Sequence, residues 1–580
     1  MKKYIYIICL VGMILPACTK NFDDINTDPS RFENATPEAI MAGAIKRTND
    51  AMANNNTQRW WDIAHFIIQQ GNRYDVTDAR GNGIWKTMYV DVLNNIQQVI
   101  RTYESNPAFN NRVQAARIWR AYVYSILVSQ FGVIPITQAN NVDYLQNITF
   151  NTEDEAYAII LSELKDAASK INPSGDRFTY DVLYGGNMLS WKKFGNTLRL
   201  RVALQCTRNL GEEAKKHISE TMADEANLIN TENETAKMNY ENVINNENPY
   251  YIRFKRNTFT LPQPKMSDFI MLYFRSYKDP RMEKYYAPVP LASRYLVQDT
   301  LKNVATDSMY VVSYPIPYNG YIKAGKLPSW TSFSNSVDPL QASNINSFSE
   351  PVADVYAANR PFVILSYAEA QFLKAEAKEI GLGGSQLAEA YYYSGIDACF
   401  NRLGISTAEL NAYKARDGIK WNTQGKGFSN YLGNTNADIP ITNINKIWVQ
   451  RWLNYYPDGA FETWNLQRRT RAMRFPPHTN PANNLLVNTA ADIPHRGSYP
   501  TDLVGLNPVG YADALRKLGI NGIDDTQPTT YLKFEAPYTV SDWTPTQTFY
   551  NLAYLQKWYG TTVEELKASG TTFTVLSKFK

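Results

Sequence analysis

Tyr367-Ala368-Glu369-Ala370-Gln371-Phe372-Leu373-Lys374-Ala375-Glu376-Ala377 combines good helix formers with alanine at the positions where a second helix must come close. The apolar spacing around it predicts a helix over 363–380. Gly381-Leu382-Gly383-Gly384 then ends it, because glycine enters the left-handed backbone conformations of a helix stop without a Cβ penalty. A second amphipathic pattern follows over 385–403. The unit is therefore a helix, a glycine turn and a helix, packed antiparallel.

Two helices joined in this way over about forty residues resemble a tetratricopeptide unit. No strict 34-residue self-similarity is visible elsewhere, so the repeats are degenerate. Helical patterning recurs at 37–52, 57–70, 85–103, 111–130, 191–208 and 445–474. Phe131-Gly132-Val133-Ile134-Pro135 breaks one of these helices. Thr152 and Glu155, three apart, open another with a capping box that carries it to about Ile171. Between 248 and 361 the composition shifts to Tyr, Pro, Asn and Ser with short β-branched runs such as Tyr310-Val311-Val312. The fold class expected is mainly α, with a loop-rich insertion carrying short strands. Long loops on a rigid scaffold are where binding residues concentrate.

The N-terminus fixes a cellular address. Lys2 and Lys3 precede the apolar run Tyr4 to Leu15, and Leu15-Pro16-Ala17-Cys18 has the form of a lipobox. Residues 1–17 read as a lipoprotein signal peptide, and the Cys18 thiol as the site of diacylglyceryl transfer. Two or three acyl chains hold a protein on a membrane stably where one would bind only marginally. Residues 18–36 read as a polar tether, 37–535 as the helical body, and 536–580 as a separate C-terminal segment. Asp23 and Asp24 also resemble the surface-export signal of Bacteroidetes lipoproteins.

Composition narrows the function. The formal charge is +4, of which Lys2 and Lys3 supply two, so no electrostatic footprint for nucleic acid is present. Of four cysteines, Cys9 lies in the signal peptide and Cys18 in the lipobox; Cys206 and Cys399 form either a disulfide or two separate buried thiols. No CxxC, HExxH or GxSxG occurs, and His65, His217, His478 and His495 share no metal-ligand spacing. Gly320 to Lys326 matches the start of a phosphate-binding loop, but Leu327 stands where Ser or Thr must reach magnesium. No cofactor, metal or catalytic residue is expected. Aromatic residues reach 13%, with 39 Tyr and 12 Trp, and these rings suit sugar faces, protein interfaces and helical cores alike.

Seven segments, in order behind the lipobox, carry a family resemblance. They are Phe22 to Pro29, Phe131 to Ile136, Asp181 to Gly186 with Trp191 to Arg201, Asp279 to Met282, Tyr367 to Ala377, Glu462 to Trp464 with Arg468-Arg469-Thr470 and Pro476, and Ile493 to Arg496 with Tyr499-Pro500 and Asn507. Together they resemble the SusD/RagB family of Bacteroidetes outer-membrane lipoproteins, in its SusD-like branch. Val133 and Lys278 depart from the family's usual residues. Glu369 and Glu376 lie two turns apart on one helix face, and pairing with Arg468 and Arg469 gives them a structural role.

The resemblance implies a SusD-like fold and a surface glycan-binding lipoprotein, which captures oligosaccharides and delivers them to a SusC-like TonB-dependent transporter. The alternative is capture of peptides or protein fragments by the same architecture. Sugar capture needs aromatic platforms beside polar side chains. The candidate ligand residues are Asn72, Arg73, Tyr74 and Trp85 in one region and Tyr318, Asn319, Tyr321 and Trp330 in another. In the C-terminal segment, Tyr538-Thr539-Val540, Leu552-Ala553, Tyr559 to Leu566 and Thr572 to Leu576 resemble a LysM module, although Asp542-Trp543-Thr544 replaces its usual Gly-Asp-Thr. The other reading of this segment is a helix and strand that cap the body.

Overall fold

The computed structural model describes residues 36–68, 83–256 (save 142, 145 and 146), 264–288, 296–303, 308–315, 349–423, 442–475 (save 474), 493–524 (save 523), 532–537 and 572–576. The three strands over 296–315 and 572–576 are described by their backbone alone. Cys18 and the lipobox lie outside these residues.

The body is mainly helical and grows by antiparallel addition. Helix α1 (Pro37–Asn55) starts where the Thr36 hydroxyl accepts the Ala39 N–H, with Pro37 in the first turn. It packs on α2 (Asn94–Tyr103), which lies against α3 (Asn110–Phe131), then α4 (Glu153–Lys170), α5 (Met188–Gln205) and α6 (Glu212–Ala223). The capping box opening α4 is present, with Thr152 and Glu155 each bonding the other's backbone. Gly132 ends α3 at φ 78°. Asp268–Ser276 forms α7, and Tyr367–Glu379 (α8) pairs with Ala388–Arg402 (α9). Helices Thr407–Lys414 (α10), Asn443–Asn454 (α11), Ala460–Thr470 (α12) and Pro508–Lys517 (α13) complete the set used below.

The close approach expected from the alanines of α8 is observed, and glycine takes part. A Cβ added to Gly395 of α9 would lie 2.5 Å from the Phe372 ring of α8. Trp60, Trp61, Trp119, Trp191, Trp452 and Trp464 are all fully buried. Trp60 stacks on Trp464 at 4.4 Å, and Trp452 meets Tyr273 edge-on at 4.7 Å. Much of the aromatic excess is thus the cement between hairpins.

Local structure departs from the sequence pattern at identifiable points. The helix expected over 57–70 ends at Ile63; His65 turns the chain at φ 54°, and Ile67–Ile68 form strand β1. Residues expected to begin the 363–380 helix are instead strand β6 (Phe362–Leu365), antiparallel to β2 (Ala236–Met238); Ser366 then caps α8 through the Glu369 N–H. Val363-Ile364 favours a strand, and the serine cap competes with continuing the helix backward. The single helical region expected over 445–474 is two helices, α11 and α12, separated by Tyr455 to Gly459 with a cis Tyr456–Pro457 bond. The insertion is less irregular than its composition suggests, since it contains α7 and the helical turn Arg281–Tyr285.

Within the insertion, β3 (Lys265–Met266) pairs antiparallel with β1. Strand β4 (Leu296–Asn303) forms a hairpin with β5 (Ser308–Pro315), whose other edge takes β7 (Thr572–Leu576). The final strand is therefore partnered by the insertion. The rest of the LysM-like stretch, 538–571, lies outside the described residues. Cys206 and Cys399 are both free and buried, so no disulfide joins them.

Candidate functional site

Of the eight candidate ligand residues, Trp85 alone lies among the described residues; Asn72, Arg73, Tyr74, Tyr318, Asn319, Tyr321 and Trp330 fall outside them. Trp85 is 8% exposed, with its indole edge-on to Phe131 at 5.1 Å, Tyr499 at 5.4 Å and Phe150 at 5.9 Å. Tyr89, one turn on, covers it at 4.7 Å. Helical phase explains this, because Trp85, Met88, Tyr89 and Val92 share the inward face. This indole supports the scaffold and presents no open ring face.

The described framework does bring the roots of the two candidate loops together. Ile68 ends β1 opposite Lys265, and the next residue of β3, Met266, donates its N–H to Ser349 O at 2.7 Å. One loop thus leaves from one edge of β3, while the chain returns from the other loop along the opposite edge. The junction is fastened: Lys265 Nζ pairs with Glu350 at 2.5 Å, Ala287 N–H donates to Glu350 O at 2.8 Å, and the buried Tyr286 hydroxyl donates to Phe66 O at 2.7 Å. Two segments about 250 residues apart in the chain thus flank one two-stranded sheet, with Ser349 bonded to its outer edge.

A buried ionic network joins α5, α8, α11 and α12. Arg201 of α5 makes two parallel bonds to Glu369 of α8, at 2.8 and 2.6 Å, and a third to Ile364 O at 2.8 Å. Tyr455 donates its hydroxyl to Glu369 at 2.7 Å. Glu376, two turns on, takes Arg451 of α11 and Arg469 of α12, each at 2.6 Å. Burial alone would lower the Arg201 pKa, yet the Glu369 and Glu462 carboxylates raise it above the ordinary value. Burial opposes ionisation of Glu376, but Arg469 and Arg451 outweigh it and hold the carboxyl below its usual range.

The pairing of Glu376 with Arg469 follows the sequence expectation; that of Arg468 does not. Arg468 lies 3.4 Å over the Trp464 ring and bonds Ser129 O at 2.7 Å, with Glu535 as its nearest carboxylate at 3.3 Å. Adjacent arginines on a helix point about 100° apart, so one helix face cannot serve both. The partners missed were Arg451, which meets Glu376, and Arg201, which stands in its own family segment; three-dimensional proximity, and no spacing rule, joins Arg201 to Glu369.

The network and hairpins define a mainly helical scaffold. A family model described as "Starch-binding associating with outer membrane" matches residues 29–500, and the chain belongs to this SusD-like family. Solved structures share the fold. A SusD homologue from Parabacteroides distasonis is 19% identical, with 86% of this chain and 98% of that one covered at a TM-score of 0.68. A chitin-binding SusD homologue from Flavobacterium johnsoniae is also 19% identical, over 86% and 99% of the two chains, at 0.65. A SusD homologue from Bacteroides thetaiotaomicron is 18% identical, over 87% and 100%, at 0.64. No curated protein matches the sequence. Among the described residues no helix is long and apolar enough to cross a membrane, and no group of three or more His, Cys, Asp or Glu could hold a metal ion.

Proposed function

We propose that this protein is a cell-surface glycan-binding lipoprotein, anchored in the outer membrane through acyl chains on Cys18, which captures oligosaccharides and passes them to a SusC-like TonB-dependent transporter. The observation that carries the reading is the match of residues 29–500 to a family described as starch-binding and associated with the outer membrane. The resemblance in fold to a chitin-binding homologue supports a carbohydrate ligand. The shared root of the two candidate loops supports a single composite surface, on which Asn72, Arg73, Tyr74, Tyr318, Asn319, Tyr321 and Trp330 supply rings and hydrogen-bonding groups. The protein works by binding and not by catalysis. Anchoring it beside its transporter raises the effective concentration of captured ligand at the pore.

A glycan array probed with the protein, starch and chitin oligosaccharides included, tests the ligand class against a peptide library run in parallel. Binding to glycans is expected. Binding to peptides alone would transfer the reading to peptide capture, and release of reducing sugar would replace it with catalysis.

A further inference from the structure

A cavity of about 410 Å³ lies inside the helical body, between β6 with the start of α8, the C-terminal end of α9, and the corner joining α11 to α12. Its lining residues Tyr285 and Val352 adjoin the loop root, next to the bridge between Tyr286 and Pro351. Its volume falls at the lower end of the roughly 300–1,000 Å³ typical of small-molecule sites. One wall is apolar, where the Tyr285 and Tyr456 rings stack at 4.5 Å beside Pro457 and Val352.

Most of the charge around the cavity is already spent. Arg360 grips Asp458 with two bonds of 2.9 and 2.7 Å, and the Val363 N–H adds a third at 3.0 Å. Glu369 is held by Arg201 from behind. Lys284 and Asp354 also line the space with opposite charges. Two groups keep spare capacity. Arg402 sends Nη2 to Asn454 at 2.9 Å, but its buried Nη1 has no hydrogen-bond partner among the described residues. Among the described residues Glu462 has only long polar contacts, with Asn465 Nδ2 at 3.4 Å and Arg201 Nη1 at 3.6 Å. Burial raises its carboxyl above the ordinary range despite Arg201.

With Arg360 paired to Asp458, and Glu369 paired to Arg201 behind the wall, the remaining lining charges are Lys284 and Arg402 against Asp354 and Glu462. A charged ligand would upset that balance. A hydroxyl both donates and accepts, so a polyhydroxylated ligand serves an unfilled donor and an underused acceptor together. We propose that this cavity is a second binding site, for a neutral polyhydroxylated molecule of one or two sugar rings, which accepts from Arg402, donates to Glu462 and lies against the tyrosine–proline wall. A volume of this size holds one or two sugar rings.

The test is calorimetric titration of the intact protein in detergent with glucose, N-acetylglucosamine and their disaccharides, and with glutamate and glucose 6-phosphate as charged competitors. Two variants are compared with the parent: Glu462→Gln, which keeps shape, and Val352→Phe, which fills the cavity without altering charge. A neutral sugar should bind at one site, about 10–100-fold weaker in Glu462→Gln, as expected for loss of a charge-assisted hydrogen bond, and not measurably in Val352→Phe. Retention of both variants in polysaccharide gels should equal that of the parent. Sugar binding indifferent to both variants, preference for a charged ligand, or no small-sugar binding at all would overturn the proposal while leaving polysaccharide capture standing. Loss of polysaccharide retention along with sugar binding in folded variants would show a single site and overturn it as well.

Discussion

Removing the carboxylate of Glu369 is the sharpest perturbation of the scaffold. The side chain is 2% exposed and accepts from Arg201 Nε at 2.8 Å, Arg201 Nη2 at 2.6 Å and the Tyr455 hydroxyl at 2.7 Å. In Glu369→Gln, Arg201 stays buried with Ile364 O at 2.8 Å and Glu462 at 3.6 Å as its remaining partners. Breaking a buried pair by removing one member costs about 3–5 kcal/mol, mostly from the stranded charge. With an unfolding entropy of ~2.1 cal/mol/K per residue over ~450 residues, that lowers Tm by ~3–5 °C if the body melts as one unit. The double variant Arg201→Met with Glu369→Leu removes both charges and should recover most of the loss, giving a coupling of at least ~2 kcal/mol in a cycle of denaturant titrations. A cost below ~1 kcal/mol with no coupling, as for an exposed pair, would refute the assignment of this network as the link between α5 and α8.

Gly395→Ala should destabilise by ~1–3 kcal/mol in denaturant titration despite alanine's better helix propensity, because its Cβ would meet the Phe372 ring at 2.5 Å. A neutral or stabilising result would place α8 and α9 further apart than described. Glu153 accepts the Lys533 N–H at 2.8 Å and the Phe534 N–H at 3.3 Å, and burial pushes its carboxyl up to about 7 against the pull of these bonds and of Asn209. A raised carboxyl binds its proton more tightly in the folded state, so its stabilising contribution is complete below the unfolded value of 4.5 and is lost as pH rises through about 7. That loss is at most ~3 kcal/mol. Relative to Glu153→Gln the parent should therefore weaken between pH 5 and pH 8, and an unchanged difference between the two proteins would contradict the shift. Thiol titration of a denatured form lacking residues 1–18 should find Cys206 and Cys399 both free without reductant; a thiol count that rises on reduction would show a bond between them.

The helices were legible because their signals are local. The Thr152–Glu155 capping box, the break at Gly132 and the alanines of 367–377 each act within one or two turns, and the elements form where those residues stand. Val363 to Leu365 misled because a short apolar run suits a strand or a helix, and pairing with Ala236–Met238, 120-odd residues away, decides between them. Arg201 and Glu369 illustrate the same limit at the level of charge, and so does the cavity, whose walls come from five separate stretches of chain. For the site, the aromatic count could not say which rings face inward. Trp85 is packed on Phe131 and Tyr499, while the nearness of Ile68 and Ser349, which flank the two candidate loops, follows only from their pairing with β3.

Surface capture is tested most directly by the binding of a fluorescent polysaccharide, chosen from the array, to intact cells carrying the parent protein, the Cys18→Ala variant or neither. Cells with the parent should bind the label, cells lacking the protein should not, and Cys18→Ala should shed a protein that still retains the polysaccharide in a gel. Equal labelling of all three would contradict the account of a lipid-anchored protein that captures glycans at the cell surface.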